Sequence, residues 1–157
     1  MKIGLVVIGK TDDKFIVEGL KKYQNRLKHY IPFEYIELPD VKRSKNLLQE
    51  QQKKMEGVSL LNIIKPGDYV VLLDEKGKTF SSREFATYTE KRMIAGTKRM
   101  LFIIGGPYGF SDEIYKVAND KVSLSKMTFS HQLVRLIFFE QIYRAMTILK
   151  NEPYHHD

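Results

Sequence analysis

The chain is predicted to fold as an α/β domain, a largely parallel sheet flanked by helices, and three observations predict it. Short, nearly continuous apolar runs recur at KIGLVVI, YVVLL and MLFII, as strands buried on both faces require. The stretches between them return apolar residues at helical intervals. Serines stand where helices would start, at Ser81 or Ser82, Ser111 and Ser130, and Gly96 stands where one would stop.

KIGLVVIGK opens the chain as a strand ending at Gly9-Lys10. Residues 12–30 follow as a helix, with Phe15, Ile16, Gly19, Leu20, Tyr23 and Leu27 on one stripe and two aspartates at the positive end of its dipole. FEYIEL alternates apolar and acidic positions and predicts a second strand exposed on one side. The basic connection DVKRSKN leads into a helix from roughly residue 44 to 64, closed by the turn chemistry of Lys65-Pro-Gly-Asp. YVVLL is the third strand, with Asp74-Glu-Lys-Gly-Lys as a turn after it, and residues 82–95 form the next helix. MLFII is the fourth strand, residues 112–119 a short helix, and KVSLS a fifth strand. The last helix runs from Ser130 through HQLVRLIFFEQIYRAMTILK.

A length of 157 residues suits one domain, 1–157. With 43% apolar and 29% charged residues the chain is neither disordered by composition nor membrane-spanning, because Arg135, Glu140, Gln141 and Arg144 interrupt its most apolar segment. The first ten residues carry no cleavage motif, so a cytoplasmic location is expected. Zero cysteines exclude disulfides, thiolate nucleophiles and zinc ribbons together. A formal net charge of +7 favours a polyanionic partner, with nucleic acid the natural candidate. The last helix has no polar half, which points either to a homodimer interface or to a helix buried centrally within the domain.

Ligands of parallel sheets bind outside the carboxyl ends of strands, so the loops after Leu73, Ile104 and Ser125 are the places for chemistry. In IIGGPYGF the glycines admit close backbone approach and Pro107 stiffens the turn; a ligand-free strand-to-helix turn reads the same way. Neither the P-loop spacing nor the dinucleotide fingerprint occurs anywhere. The hydroxyl-rich segment SLSKMTFSH could hydrogen-bond an adenine edge while apolar side chains cover its faces.

IIGGPYG together with SLSKMTFSHQLVR, EQIYRA and a terminal PYHH resembles the RlmH family of SPOUT methyltransferases, over essentially the whole chain. The resemblance implies a C-terminal trefoil knot, a homodimer, S-adenosyl-L-methionine as cofactor with no metal, and methylation of N3 of a pseudouridine in 23S rRNA, on the ribosome. It carries the cofactor site onto Leu73, Gly105, Leu124, Ser125, Lys126, Met127, Thr128 and Phe129.

Methyl transfer in line needs proximity, and the N3 proton needs an acceptor. His131, His155 and His156 carry the side chain that titrates nearest neutral pH, though His131 equally suits a helix start and the pair equally suits a solvated end. Tyr154 could stack on an extruded base or pack the terminus down. Arg135 and Arg144 sit among apolar neighbours, where each needs RNA phosphate, Glu140 or a second subunit as partner; Arg135, four residues from His131, is assigned to the site. The basic run Lys42-Arg43-Ser44-Lys45 is either solvated surface or an extension of a phosphate-binding face, and Asp74 either a turn residue or a ribose ligand. Two other readings fit the same residues: a non-catalytic RNA-binding factor on the same fold, and a SPOUT enzyme acting on another RNA such as tRNA.

Overall fold

The computed structural model describes residues 1–41 and 47–157; the basic run at 42–45 and the start expected for the second helix lie outside the described residues. The elements are β1 (Lys2–Ile8), α1 (Lys14–Leu27), β2 (Phe33–Leu38), α2 (Gln49–Ile63), β3 (Tyr69–Thr79), α3 (Ser82–Ile94), β4 (Arg99–Ile104), α4 (Asp112–Val117), β5 (Asp120–Ser123) and α5 (His131–Leu149). The strands make one sheet in the order β2-β1-β4-β3-β5, and every pairing is parallel.

Alternation along the strands builds two cores. Ile3, Leu5 and Val7 of β1 face a core shared with Phe102 of β4 and with Phe138, Phe139 and Ile142 of α5. Val6, Leu101 and Ile103 face the opposite side with Leu60 of α2 and Ile114 of α4. Helix α5 packs against both α1 and α3, so much of its all-round apolar character is used inside the chain.

Local chemistry sets most boundaries. Ser81 Oγ accepts from the Glu84 amide while the Glu84 carboxylate accepts from the Ser81 amide, a reciprocal capping box. Ser130 Oγ accepts from the Leu133 amide at 3.2 Å and starts α5 where expected. The helix ends in a Schellman turn: Asn151 takes φ of 56°, its amide bonds to the Ile148 carbonyl, and the Glu152 amide bonds to the Thr147 carbonyl.

Three expectations change. β3 does not stop at Leu73 but runs on to Thr79, because a register shift between Leu73 and Lys78 lets the polar stretch rejoin β5. Gly77 permits this, since a Cβ there would lie 2.6 Å from backbone atoms of Lys121 and Val122. α1 is shorter than expected, and Phe15 is 64% exposed rather than on the buried stripe. β2, an edge strand, is half-buried along nearly its whole length instead of showing one clean exposed face.

Candidate functional site

Residues 73–76 in the middle of β3 and the carboxyl ends of β4 and β5 open into one cavity of about 460 Å³. Parallel pairing does this: Leu73 is in register with Ile104 on one side and with Val122 on the other, so the loops after β4 and β5 leave the sheet beside the register shift of β3. Ile104, Leu124, Phe129 and Val134 supply apolar wall; Asp74, Glu75, Ser123 and Ser125 supply polar groups. Such a mixture of apolar faces and few polar anchors is how cofactor pockets are built.

The glycine loop shapes the floor. A Cβ at Gly105 would sit 3.0 Å from the Phe110 ring, and Gly109 holds φ of 84°, so both positions resist substitution for different reasons. A Cβ at Gly106 would overlap the carboxylate of Glu56, a residue only 3% exposed on α2. Helix α2 therefore braces the loop from behind. The hydroxyl loop is held by its own groups: Ser123 Oγ donates to the Ser125 carbonyl at 2.9 Å, and Ser125 Oγ accepts from the Met127 amide at 2.9 Å.

At the rim, Tyr115 donates to Asp74 Oδ2 at 2.7 Å. Burial and that carboxylate push the Tyr115 phenol up to about 12, so it stays a donor and fixes Asp74. Asp74 also accepts from the Lys76 amide, which orients the carboxylate within β3.

The comparisons with known proteins agree with one another. A family model described as "Predicted SPOUT methyltransferase" matches residues 1–155. A Parabacteroides distasonis protein named "Ribosomal RNA large subunit methyltransferase H" is 63% identical, covering 100% of both chains. Proteins of the same name from Christiangramia forsetii and Porphyromonas gingivalis strain W83 are 60% and 53% identical, over 99% and 100% of both chains. The chain belongs to the SPOUT methyltransferase family.

In this SPOUT methyltransferase, seven of the residues expected at the cofactor line the cavity: Leu73, Gly105, Leu124, Ser125, Met127, Thr128 and Phe129. Lys126 is not among the lining residues. His131 lines the cavity from the first turn of α5, and the next turn adds Val134.

Arg135 does not reach the cavity lining. It is 3% exposed, and its guanidinium donates to Thr11 Oγ1 at 2.8 Å and to the Ile8 carbonyl at 2.9 Å, with Glu37 3.7 Å away. Thr11 extends the network through Tyr35 and through its amide on Glu37. Gln132 adds a second tie, accepting from the Asp12 amide and donating to the Lys10 carbonyl. Arg135 thus joins the start of α5 to the carboxyl ends of β1 and β2.

Tyr154 and His155 lie elsewhere in the chain. Tyr154 donates to Glu140 Oε1 at 3.1 Å, and His155 Nδ1 is 3.2 Å from the Arg144 guanidinium. Arg144 holds Glu140 at 2.6 Å and lies 4.7 Å from the Tyr154 ring centroid. Arg144 lies thirteen helical steps beyond His131, about 20 Å at the α-helical rise. Beyond them His155 Nε2 meets Asp157 at 3.0 Å, and Asp157 pairs with Arg83 of α3.

Sequence reasoning missed Glu56, which sits in a largely polar helix whose buried face periodicity does not reveal. It also missed the Tyr115–Asp74 pair, which joins residues 41 apart.

Proposed function

We propose that the chain transfers a methyl group from S-adenosyl-L-methionine to N3 of a pseudouridine in large-subunit ribosomal RNA, in the cytoplasm. The observation that carries this reading is the convergence of Leu73, Gly105 and the 124–129 loop on a single cavity. The residues present fit the cofactor: apolar side chains suit the adenine faces, the rim carboxylates suit ribose hydroxyls and a sulfonium charge, and Gly105 leaves space that a side chain would fill. When bound, that cofactor supplies a methyl group on a cationic sulfur.

The protein's part is positioning. Leu124, Phe129 and Val134 exclude water, Asp74 is held by Tyr115, and Arg135 fixes the helix turn that brings His131 to the cavity. His131, or His155 delivered by a tail, takes the N3 proton directly or through water.

The reading includes a homodimer in which one protomer's Tyr154 and His155 complete its partner's cavity, and a trefoil knot in the C-terminal segment. In its favour, Tyr154 and His155 lie along α5 from their own cavity, and exposed Phe15 and Leu133 leave apolar surface on α1 and α5 for a second copy to cover.

Recognition of the base is proposed to need the assembled 70S particle, since a chain this small has few elements with which to read RNA. Methylation of purified rRNA and of intact 70S particles should differ by orders of magnitude in favour of the particle. Equal rates would overturn the ribosomal context, and loss of measurable cofactor affinity would favour a non-catalytic RNA-binding factor.

A further inference from the structure

A second concavity, of about 440 Å³, lies where α1 and α5 end, away from the cofactor cavity. Its lining is Arg26, His29, Tyr30, Tyr143, Lys150 and Glu152. Three of these six carry nitrogen donors, two carry phenol rings, and one is a carboxylate.

The carboxylate is already engaged: Tyr30 donates to Glu152 Oε2 at 2.6 Å. The Schellman turn at Asn151 returns the chain so that Glu152 meets Tyr30, three residues beyond the end of α1. Among the described residues no carboxylate oxygen lies within 4.0 Å of the Arg26 guanidinium or the Lys150 ammonium. Arg26 instead spreads over two aromatic faces, 5.6 Å from the Tyr23 centroid and 5.4 Å from that of Tyr143. Tyr143 in turn stands edge-on to Tyr30, with centroids 5.8 Å apart.

The negative ends of the α1 and α5 dipoles attract cations here. That accounts for basic residues near helix ends. It does not account for an open groove in which a guanidinium is preset on tyrosine rings and its hydrogen-bonding edge has no carboxylate partner.

We infer that this groove binds the phosphodiester backbone of the RNA substrate, Arg26 and Lys150 contacting phosphate oxygens while Tyr30 and Tyr143 pack against sugar or base. Guanidinium and ammonium groups beside aromatic rings are the chemistry that follows a nucleic acid strand without reading its sequence. The inference rests on the reading of the chain as an RNA methyltransferase and adds to it a backbone contact beside the Tyr154 tail, outside the cavity of its own chain. The groove orients a substrate that the cavity modifies.

The test uses full-length protein and a fluorescein-labelled fragment of large-subunit rRNA, with affinity read by anisotropy across a salt series. Arg26→Ala and Lys150→Ala should each weaken binding and lower the slope of log affinity against log salt by about 1, and the double variant by about 2. Arg26→Lys should keep the slope. Affinity for S-adenosyl-L-methionine, by calorimetry, and the oligomeric state, by light scattering, should not move. Unchanged affinity and slope in the double variant, with wild-type protein binding the RNA, would overturn the groove's role. Equal losses from Arg26→Lys and Arg26→Ala would make it a packing contact, and dissociation of the double variant would make it an interface between copies. No binding of the fragment by wild type would overturn sequence-independent backbone binding by the groove, and methylation of 70S particles by that same protein would leave the methyltransferase reading standing.

Discussion

The two ends of α5 are built on different principles. At its start the helix closes an apolar, glycine-floored cavity in which the ionisable groups lie at the rim. Toward its end the same helix carries Glu140, Arg144 and Tyr143 against Tyr154 and His155, a surface cluster of charge and phenol. The first end depends on shape and the second on a hydrogen-bonded tail. On the proposed reading the first end serves cofactor binding and the second the chemistry, and the two can be damaged separately.

Gly105→Trp should produce the largest effect. The indole would enter the space bounded by Phe110 and the cavity, removing cofactor binding by more than about 100-fold and methylation with it. Tyr154→Ala should leave cofactor affinity unchanged by calorimetry and still lower methylation by about 100-fold. If the tail of one protomer serves its partner, mixed dimers of these two variants should recover one working site. Confirmed heterodimers without activity would contradict shared sites.

Arg144→Ala comes next. It releases Glu140, His155 and the face against Tyr154, and should lower methylation by about 10- to 100-fold with cofactor affinity intact. The pair is partly exposed, so its loss should cost no more than about 1 kcal/mol of stability.

Arg135→Met should do the reverse. Removing a buried donor to Thr11 and the Ile8 carbonyl should cost about 1–3 kcal/mol, lowering Tm by roughly 2–4 °C for each kcal/mol. Cofactor affinity should fall along with Tm, because the first turn of α5 walls the cavity. A variant with normal Tm and cofactor affinity but lost turnover would make Arg135 a catalytic residue instead of a positioning one.

The smallest effect concerns the tether of the tail. The Arg83 guanidinium and His155 hold Asp157 below the usual carboxylate range, while its slight burial works the other way. A folded pKa below the unfolded one means the tether is fully present above the ordinary aspartate value and is lost only as pH falls through the lower folded value. Between pH 5 and 8, then, amide exchange at the C-terminus should not change on account of Asp157. Raising salt to 1 M, where the Debye length is about 3 Å, should speed that exchange. Exchange at the 124–129 loop, held by short internal hydrogen bonds, should stay constant.

Much of this division was legible in the amino acids. The apolar runs located the strands, Ser81 and Ser130 located helix starts, and the expected loops after β4 and β5 located two sides of the cavity, whereas the third expected loop, after Leu73, is strand. These signals are local, and the sheet brings them together by parallel order alone. The extension of β3 was hidden because Asp74 to Lys78 has turn composition, and only the bare backbone of Gly77 against β5 lets it pair. The surroundings of Arg135 were hidden for a related reason. Spacing of four residues placed it beside His131, whereas its partners Thr11 and Ile8 come from a strand end more than 120 residues earlier. Lys126 follows the loop's motif without joining the cavity wall, which motif matching alone does not distinguish.

The most direct measurement is mass spectrometry of ribosomal RNA from cells lacking this gene, before and after their 70S ribosomes are incubated with the purified protein and labelled S-adenosyl-L-methionine. One methyl group gained at a single large-subunit pseudouridine, and none with the Gly105→Trp protein, is the predicted result. No methyl gained anywhere in ribosomal RNA, by protein that binds the cofactor, would contradict the proposed substrate.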